Sequence, residues 1–249
     1  MRIFNPLVTL LLTLSVSLFS HAEFKKLDEF GDNPGALEAS YFTPNIKSPA
    51  LVVLLHGCAQ QGEELAQKSG LLSLAQKHNF AFLLPQQTLS NNIKRCFNWY
   101  SPDDSSKDIG ESLSIKNMVT HLKAKLSSQD VYIIGLSAGG AMASGMLANY
   151  PTLFTGGAIV AGIPFPCADG LITGISCMRN GPSQTAKELE TLVRNINPKQ
   201  QSWPKLSVWT GENDSIVNPL NSSLHAQQWA NLSAIKNKPT IDHKSAKFS

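Results

Sequence analysis

The sequence of 249 residues has no long apolar run, no marked excess of one charge and no internal repeat. The N-terminal apolar run from Leu7 to Phe19 is interrupted by Thr and Ser, and it is shorter than the roughly 20 residues that a membrane-spanning helix needs. Lysine and arginine together number 21 against 18 for aspartate and glutamate, and they are scattered along the chain. This balance gives no indication of nucleic acid or an acidic surface as a partner.

The N-terminus does contain the pattern of a secretory signal peptide. Arg2 precedes the apolar run, and Ser20-His21-Ala22 follows it, directly before a charged segment. These features predict that residues 1–22 are a signal peptide and that the protein is secreted, extracellular or periplasmic, with no membrane partner after cleavage. The alternative is an anchor retained at the N-terminus. Residues 23–249 suffice for one domain with a sizeable core, and we see no second domain.

The four cysteines of this chain predict disulfides, because an exported protein meets an oxidising compartment and their number is even. Sequence alone allows three pairings. We favour Cys167 with Cys177, which closes a short excursion rich in Pro and Gly, and this leaves Cys58 with Cys96. Free buried thiols are the alternative.

The order of apolar segments predicts an α/β fold. Short apolar runs typical of strands buried on both faces alternate with helical patterns, and this alternation indicates a mostly parallel central sheet flanked by helices. The predicted strands are Glu38–Phe42, Leu51–Leu55, Phe80–Pro85, a strand from Val131, Ala158–Gly162 and Leu206–Thr210, and the predicted helices are Gly62–Lys77, Ser112–Leu126, Ala141–Asn149, Thr185–Ile196 and Ser222–Leu232. Pro164–Trp203 is a long insertion with one predicted helix, and it either covers a site or is a surface excursion.

One segment predicts a catalytic nucleophile. The strand from Val131 leads directly into Gly135-Leu136-Ser137-Ala138-Gly139, and a helix of small residues follows. A G-x-S-x-G pattern between a strand and a helix is typical of a nucleophile elbow, in which Ser137 stands exposed on a strained turn. The alternative is a glycine-rich turn without chemistry.

The other members of a serine hydrolase site can be placed by their position along the chain. Asp214 follows the Leu206–Thr210 strand, at the edge of the sheet where the sites of α/β proteins gather, and we predict it as the triad acid. Glu212 is the competitor, and an aspartate that only forms a turn is the structural alternative. The backbone amides of Ala138 and Cys58 are the predicted oxyanion hole. His56 precedes the nucleophile, so we interpret it as shaping the loop rather than acting as the base.

An aromatic cluster is the candidate for substrate contact. Arg95-Cys96-Phe97-Asn98-Trp99-Tyr100 is the densest aromatic segment, and a disulfide at Cys96 would draw it towards the oxyanion loop. We predict Trp99 as an aromatic wall for substrate. A hydrophobic cluster that only packs beneath a loop is equally compatible with these residues.

Taken together, these motifs resemble the polyhydroxybutyrate depolymerase family of esterases, which borders on the feruloyl and acetylxylan esterases. The resemblance runs from about Ala50 to Trp229. The motifs that carry it are Leu55-His56-Gly57-Cys58, Arg95 to Tyr100, Gly135 to Gly140, Gly162-Ile163-Pro164 with Cys167 and Cys177, and Trp209 to Asp214. The resemblance implies an exported α/β-hydrolase with no cofactor and no metal. It also implies Ser137 as nucleophile, Asp214 as acid, and an ester polymer or small ester as substrate.

The catalytic base is the member of the triad that the sequence does not supply clearly. In the family it lies beyond a further helix and a last strand, whereas Ser233–Ser249 here is a polar tail without a strand-like run. His225 and His243 do not match the family's motif, although His243 keeps the Ser, Asp, His order. We therefore expect an α/β-hydrolase domain that is short at its C-terminus and lacks the last strand. The chain is either a truncated or frameshifted esterase, or a hydrolase fold that binds a polymer or glycan without catalysis.

Overall fold

The computed structural model describes residues 23–235, so the predicted signal peptide and His243 lie outside the described residues. The strands are β1 (Lys25–Lys26), β2 (Glu38–Phe42), β3 (Leu51–Leu55), β4 (Ala81–Gln86), β5 (Val131–Leu136), β6 (Gly156–Val160) and β7 (Lys205–Trp209). The helices are α1 (Gly62–Lys68), α2 (Leu71–His78), α3 (Pro102–Ser105), α4 (Gly110–Leu126), α5 (Ala138–Asn149), α6 (Leu171–Asn180), α7 (Ala186–Ile196) and α8 (Leu220–Leu232).

The described strands form one sheet in the order β1-β2-β4-β3-β5-β6-β7. The neighbouring strands β4, β3, β5, β6 and β7 pair in parallel, and β2 is antiparallel to both β1 and β4. All five residues of β3 are buried, as the unbroken apolar run predicted for a central strand. This confirms the expected α/β fold with a mostly parallel sheet. Within residues 23–235, β7 is the last strand and pairs only with β6.

Helices cover both faces of the sheet. The alternate side chains Val52 and Leu54 of β3 face α1 and α2, while Leu51, Val53 and Leu55 face the core beneath α4, α5 and α8. Because β3, β4, β5, β6 and β7 run in the same direction, the loops that follow them meet at one edge of the sheet. Within residues 23–235, no helix has the length and apolar character needed to cross a bilayer.

The sequence prediction was wrong for one helix and missed another. The single helix predicted for residues 62–77 is divided into α1 and α2, because Gly70 has a φ of +77° and ends the regular helical backbone. The insertion after β6 contains α6 as well as α7. Sequence reasoning missed α6 because Gly174 stands in its interior. The absence of a side chain there lets the helix pack directly against Tyr100.

Both favoured disulfides are present. Cys58 is bonded to Cys96, and Cys167 is bonded to Cys177. No free cysteine is found among the described residues. The first bond joins the loop after β3 to the loop after β4, and the second joins the start of the insertion to α6.

Candidate active site

Ser137, the predicted nucleophile, has an unusual backbone conformation at the junction of β5 and α5. Its φ is 55° and its ψ is −117°, a region that residues other than glycine rarely adopt. Two hydrogen bonds hold this conformation: Ser137 N donates to Val160 O at 2.9 Å, and Ala141 N donates to Ser137 O at 2.9 Å. Strain that the surrounding structure maintains in this way is typical of functional sites.

The two glycines of the motif permit the close backbone contacts around Ser137. A Cβ atom at Gly135 would overlap the backbone of Gly139, and a Cβ atom at Gly139 would overlap the carbonyl oxygens of Leu55 and His56. The absence of both side chains lets the start of α5 lie directly against the end of β3. This contact brings the loop with Gly57 and Cys58 beside Ser137.

The amides predicted as the oxyanion hole are both available to a ligand. Neither Cys58 N nor Ala138 N has an acceptor within residues 23–235. Ala138 is the first residue of α5, where the helix dipole favours negative charge, and the disulfide with Cys96 holds Cys58 in place. Ser137 itself is half-buried, and two amides without acceptors beside its hydroxyl are the arrangement that stabilises a tetrahedral oxyanion.

His56 is fully buried and uses both ring nitrogens in hydrogen bonds with backbone groups. Gln87 N donates to its Nε2 at 3.1 Å, and its Nδ1 lies 2.7 Å from Gly57 O. An acceptor at Nε2 places the proton on Nδ1, which therefore donates to Gly57 O. Burial lowers the pKa of His56. This geometry agrees with a residue that shapes the loop and leaves no ring nitrogen for Ser137.

Asp214 lies in the turn after β7, two strands from β5 in the sheet. Its Oδ1 accepts hydrogen bonds from Ile216 N at 2.9 Å and Val217 N at 3.0 Å, while its Oδ2 has no donor within the described residues. Two strand spacings correspond to roughly 10 Å between the ends of β5 and β7, a gap that an imidazole can bridge. Glu212, the competing acid, is exposed and has no such fixed orientation.

Trp99 lies at the same edge of the sheet as Ser137 and Asp214. It packs against an apolar cluster that includes Ala141, one turn after Ser137, and Val217, three residues after Asp214. Its ring meets that of Tyr100 edge to face, with 5.7 Å between centroids. Gly174 of α6 lies against both rings. The insertion after β6 therefore covers the aromatic segment, which places Trp99 between α5 and α6.

No histidine within residues 23–235 is placed to act as the base for Ser137. His225 is fully buried in α8, with Nε2 at 3.2 Å from Ser144 Oγ, and burial lowers its pKa to about 3. His243 lies outside the described residues. Groups of three or more metal-ligating side chains are likewise absent between residues 23 and 235.

Sequence reasoning missed a buried carboxyl group close to this site. Glu111, at the start of α4, is fully buried and is hydrogen-bonded to Gln87, Asn91 and Asn98. Burial raises the pKa of Glu111 to about 8. A single glutamate in the first turn of an amphipathic helix looks like an ordinary dipole-stabilising residue, so the sequence carries no signal for its burial.

Comparison with known proteins identifies the family of this chain. The family model for esterase PHB depolymerase matches residues 38–244. The chain is 37% identical over 238 residues to poly(3-hydroxyalkanoate) depolymerase C of Paucimonas lemoignei, covering 92% of this chain and 56% of that protein. It is 29% identical over 239 residues to feruloyl esterase B of Talaromyces stipitatus, covering 91% of this chain and 66% of that protein. The chain therefore spans between one half and two thirds of the length of these relatives.

Solved structures confirm the fold. The acetyl xylan esterase from Aspergillus awamori superposes with a TM-score of 0.78 over 84% of this chain and 80% of that one, at 24% sequence identity. The sheet order, the flanking helices and this similarity identify the fold as that of an α/β-hydrolase. With the family model covering most of the sequence, the chain belongs to the esterase PHB depolymerase family.

Proposed function

We propose that this chain is a secreted serine esterase of the depolymerase type, which hydrolyses carboxylic esters through an acyl-enzyme. The observation that carries the proposal is the strained Ser137, which stands beside two amides without acceptors. A strained serine between a strand and a helix presents its hydroxyl to a substrate above the sheet. Membership in an esterase family supports the same reaction class.

In the proposed reaction, Ser137 Oγ attacks the ester carbonyl carbon and its proton passes to a base. The negative charge that forms on the carbonyl oxygen is stabilised by the N–H groups of Cys58 and Ala138. Collapse of this intermediate breaks the bond to the alkoxy oxygen, which leaves as an alcohol with the proton from the base. Water then attacks the acyl group by the same route and releases the acid and Ser137. Each oxyanion donor contributes about 10²–10³-fold to kcat in enzymes of this type.

Asp214 is the proposed acid that orients the base and stabilises its protonated form. Its Oδ1 is fixed by two backbone amides, which leaves Oδ2 free to accept a hydrogen bond from an imidazole. We propose His243 as that imidazole, because it is the histidine that follows Asp214 outside α8. A chain without a base would keep only the catalysis that the oxyanion hole and binding provide, about 10³–10⁴-fold over water.

The proposed substrate is an ester of a hydroxyalkanoic acid, either polymeric or small, with Trp99 as the apolar wall for its acyl part. The relative from P. lemoignei is a poly(3-hydroxyalkanoate) depolymerase, which supports this choice. An ester of an aromatic acid, or acetylated xylan, is the second candidate, favoured by relatives that are a feruloyl esterase and an acetylxylan esterase. We propose no cofactor for this reaction. The two disulfides support a secreted protein, because such bonds persist in oxidising compartments.

Hydrolysis of p-nitrophenyl acetate and butyrate by the purified protein tests the proposal, beside Ser137→Ala and His243→Ala. We expect turnover that falls to background in both variants. Turnover that is lost in Ser137→Ala but retained in His243→Ala would reject His243 as the base. Absence of turnover above the Ser137→Ala background, with no labelling by a fluorophosphonate, would favour the non-catalytic polymer-binding hydrolase fold. Parallel assays on poly(3-hydroxybutyrate) films, methyl ferulate and acetylated xylan then separate the substrate classes.

A further inference from the structure

A buried polar cluster lies beneath the loop that carries Cys58, and the proposed reaction does not use it. We call it the Glu111 cluster; its members are Gln87, Asn91, Asn98 and Glu111. Glu111 is 0% exposed, and Gln87 is 1% exposed. None of the ion pairs within the described residues includes Glu111. A buried polar group is costly unless it is hydrogen-bonded, so the hydrogen bonds of Glu111 must compensate for its burial.

Three donors surround the carboxyl group of Glu111. Its Oε1 accepts from Gln87 Nε2 at 2.5 Å and from Asn91 Nδ2 at 3.3 Å, and its Oε2 accepts from Asn98 N at 2.9 Å. These donors come from the loop after β4, so one group on α4 fixes three points of the segment 87–98, which contains no helix or strand. The same Gln87 side chain also donates to Cys96 O at 3.0 Å.

The first connection from this cluster to Cys58 passes through His56. Gln87 N donates to His56 Nε2, and His56 Nδ1 donates to Gly57 O. Gly57 O and Cys58 N belong to the same planar peptide unit, in which C=O and N–H point in opposite directions. Fixing the carbonyl oxygen on the side of His56 therefore turns the N–H of Cys58 away from the imidazole, towards the space beside Ser137.

The second connection is covalent. Cys58 is bonded to Cys96, whose carbonyl oxygen accepts from Gln87 Nε2, and Ala59 N donates to Lys94 O at 2.7 Å. The segment on the far side of this disulfide is fixed in turn by the bond from Asn98 N to Glu111 Oε2. Both sides of the Cys58 peptide are thus held by the loop that Glu111 orders.

We propose that Glu111 is a positioning residue, whose buried carboxyl group orients the Cys58 amide for the oxyanion through Gln87, His56 and the Cys58–Cys96 disulfide. This inference rests on the proposed function, since the direction of the Cys58 amide matters only if an oxyanion forms there. Glu111 touches neither Ser137 nor the substrate in this arrangement. Its effect on the reaction comes from the orientation of one peptide unit.

The test compares Glu111→Ala with wild type by steady-state hydrolysis of p-nitrophenyl acetate. We expect kcat to fall about 10- to 100-fold while KM stays within about threefold, because a displaced oxyanion donor weakens the transition state more than the ground state. Glu190→Ala is the matched control, because Glu190 is another buried glutamate, paired with Lys187 and Arg194 in α7. That control is expected to keep kcat within about twofold. If the alanine variant does not fold, Glu111→Gln replaces it in the test. Glutamine has the same shape but one acceptor fewer, and we expect a threefold to tenfold fall in kcat.

A measurement that needs no turnover separates this inference from the proposed function. In ¹⁵N spectra of the full chain, Glu111→Ala or Glu111→Gln should shift the Gln87 amide and the ring nitrogens of His56, whereas Glu190→Ala should not. These shifts remain observable even if wild type hydrolyses no ester. Folded Glu111 variants that keep kcat within twofold of wild type would overturn the proposal. Unchanged Gln87 and His56 signals in those variants would overturn it as well, whatever the activity.

Discussion

At the scale of single residues, the site depends on where side chains are absent as much as on where they are present. Gly139 lets the start of α5 touch the end of β3, and this contact brings the Cys58 loop to Ser137. Ser137 in turn keeps a strained backbone through its bonds to Val160 and Ala141. A residue with a Cβ at position 139 would have to move one of two packed backbones, so the geometry of the elbow would be lost with the packing.

Gly139→Ala should therefore lower both stability and activity. The new Cβ would lie 2.5 Å from His56 O, and relief of such overpacking costs about 1–3 kcal/mol of unfolding free energy. Urea denaturation followed by circular dichroism measures this change. Gly170→Ala is the control, because a Cβ at Gly170 would meet nothing within 4 Å, and it should stay within about 0.5 kcal/mol of wild type. Equal stability of the two variants would contradict the packing argument.

Asp214→Asn should reduce kcat by about 10⁴-fold, the usual effect of neutralising a triad acid. The amide keeps an oxygen for the Ile216 and Val217 amides, so the turn after β7 and the unfolding free energy should change little. Steady-state kinetics on p-nitrophenyl butyrate, with Glu212→Gln as control, measures the effect. A larger loss in Glu212→Gln than in Asp214→Asn would assign the acid role to Glu212 instead.

The residues of the site differ in how far the sequence could predict them. The positions of Ser137, Ala138 and Asp214 at the edge of the sheet could be predicted, because an apolar strand precedes them in each case. Glu111 and Gln87 could not, because their importance arises from contacts between α4 and a loop without periodicity. His56 is intermediate: its position in the loop was predictable, whereas its partner Gln87 was visible only in the structure.

At the scale of elements, α8 is unusual for the polar side chains on its buried face. Asn221, His225 and Gln228 are at most 1% exposed, and His225 contacts Ser144 of α5. Gln228 Nε2 donates to Phe165 O at 2.7 Å, and Asn221 Nδ2 donates to Cys177 O at 2.9 Å. These bonds attach α8 to the insertion after β6. A helix over Ser222–Leu232 was predicted from the sequence, but its polar side chains gave no indication of how deeply one face is buried.

His225 should make the protein less stable as the pH falls. Burial lowers its pKa in the folded state to about 3, below the usual value of 6.5, so the unfolded chain binds this proton first. The contribution of neutral His225 to the free energy of unfolding is complete above pH 6.5. It is lost as the pH falls from 6.5 towards 3, by about 1.4 kcal/mol per pH unit. Between pH 6.5 and 4.5 this amounts to roughly 2–3 kcal/mol.

Urea denaturation at pH 6.5 and 4.5 tests this dependence. His225→Asn should lose that part of the pH dependence, while the same change at the exposed His78 of α2 should leave it in place. A wild-type protein whose loss of stability between these pH values equals that of His225→Asn would show that His225 titrates normally in the fold.

At the scale of the whole molecule, two disulfides stabilise different parts of the fold. The Cys58–Cys96 bond spans 38 positions in sequence, and the Cys167–Cys177 bond spans 10.

The strands of the sheet and their parallel arrangement could be predicted from the sequence, because buried apolar runs mark central strands. The helix α6 in the insertion after β6 could not be predicted, because it has a glycine in its interior and no side chain that caps its first turn.

Removal of each disulfide should destabilise the protein by an amount that grows with the loop it closes. The chain-entropy relation gives about 4 kcal/mol for the longer loop and about 3 kcal/mol for the shorter one. The double variants Cys58→Ser/Cys96→Ser and Cys167→Ser/Cys177→Ser, compared by urea denaturation, measure the two costs. A smaller cost for the Cys58–Cys96 pair would contradict the prediction.

The two disulfides also differ in their exposure to thiol reagents. Cys58 is exposed and Cys96 is half-buried, whereas Cys167 and Cys177 are 7% and 4% exposed. A small reductant in solution therefore reaches the Cys58–Cys96 bond before it reaches the Cys167–Cys177 bond. At rising dithiothreitol concentration, hydrolysis should decline while circular dichroism still reports a folded sheet.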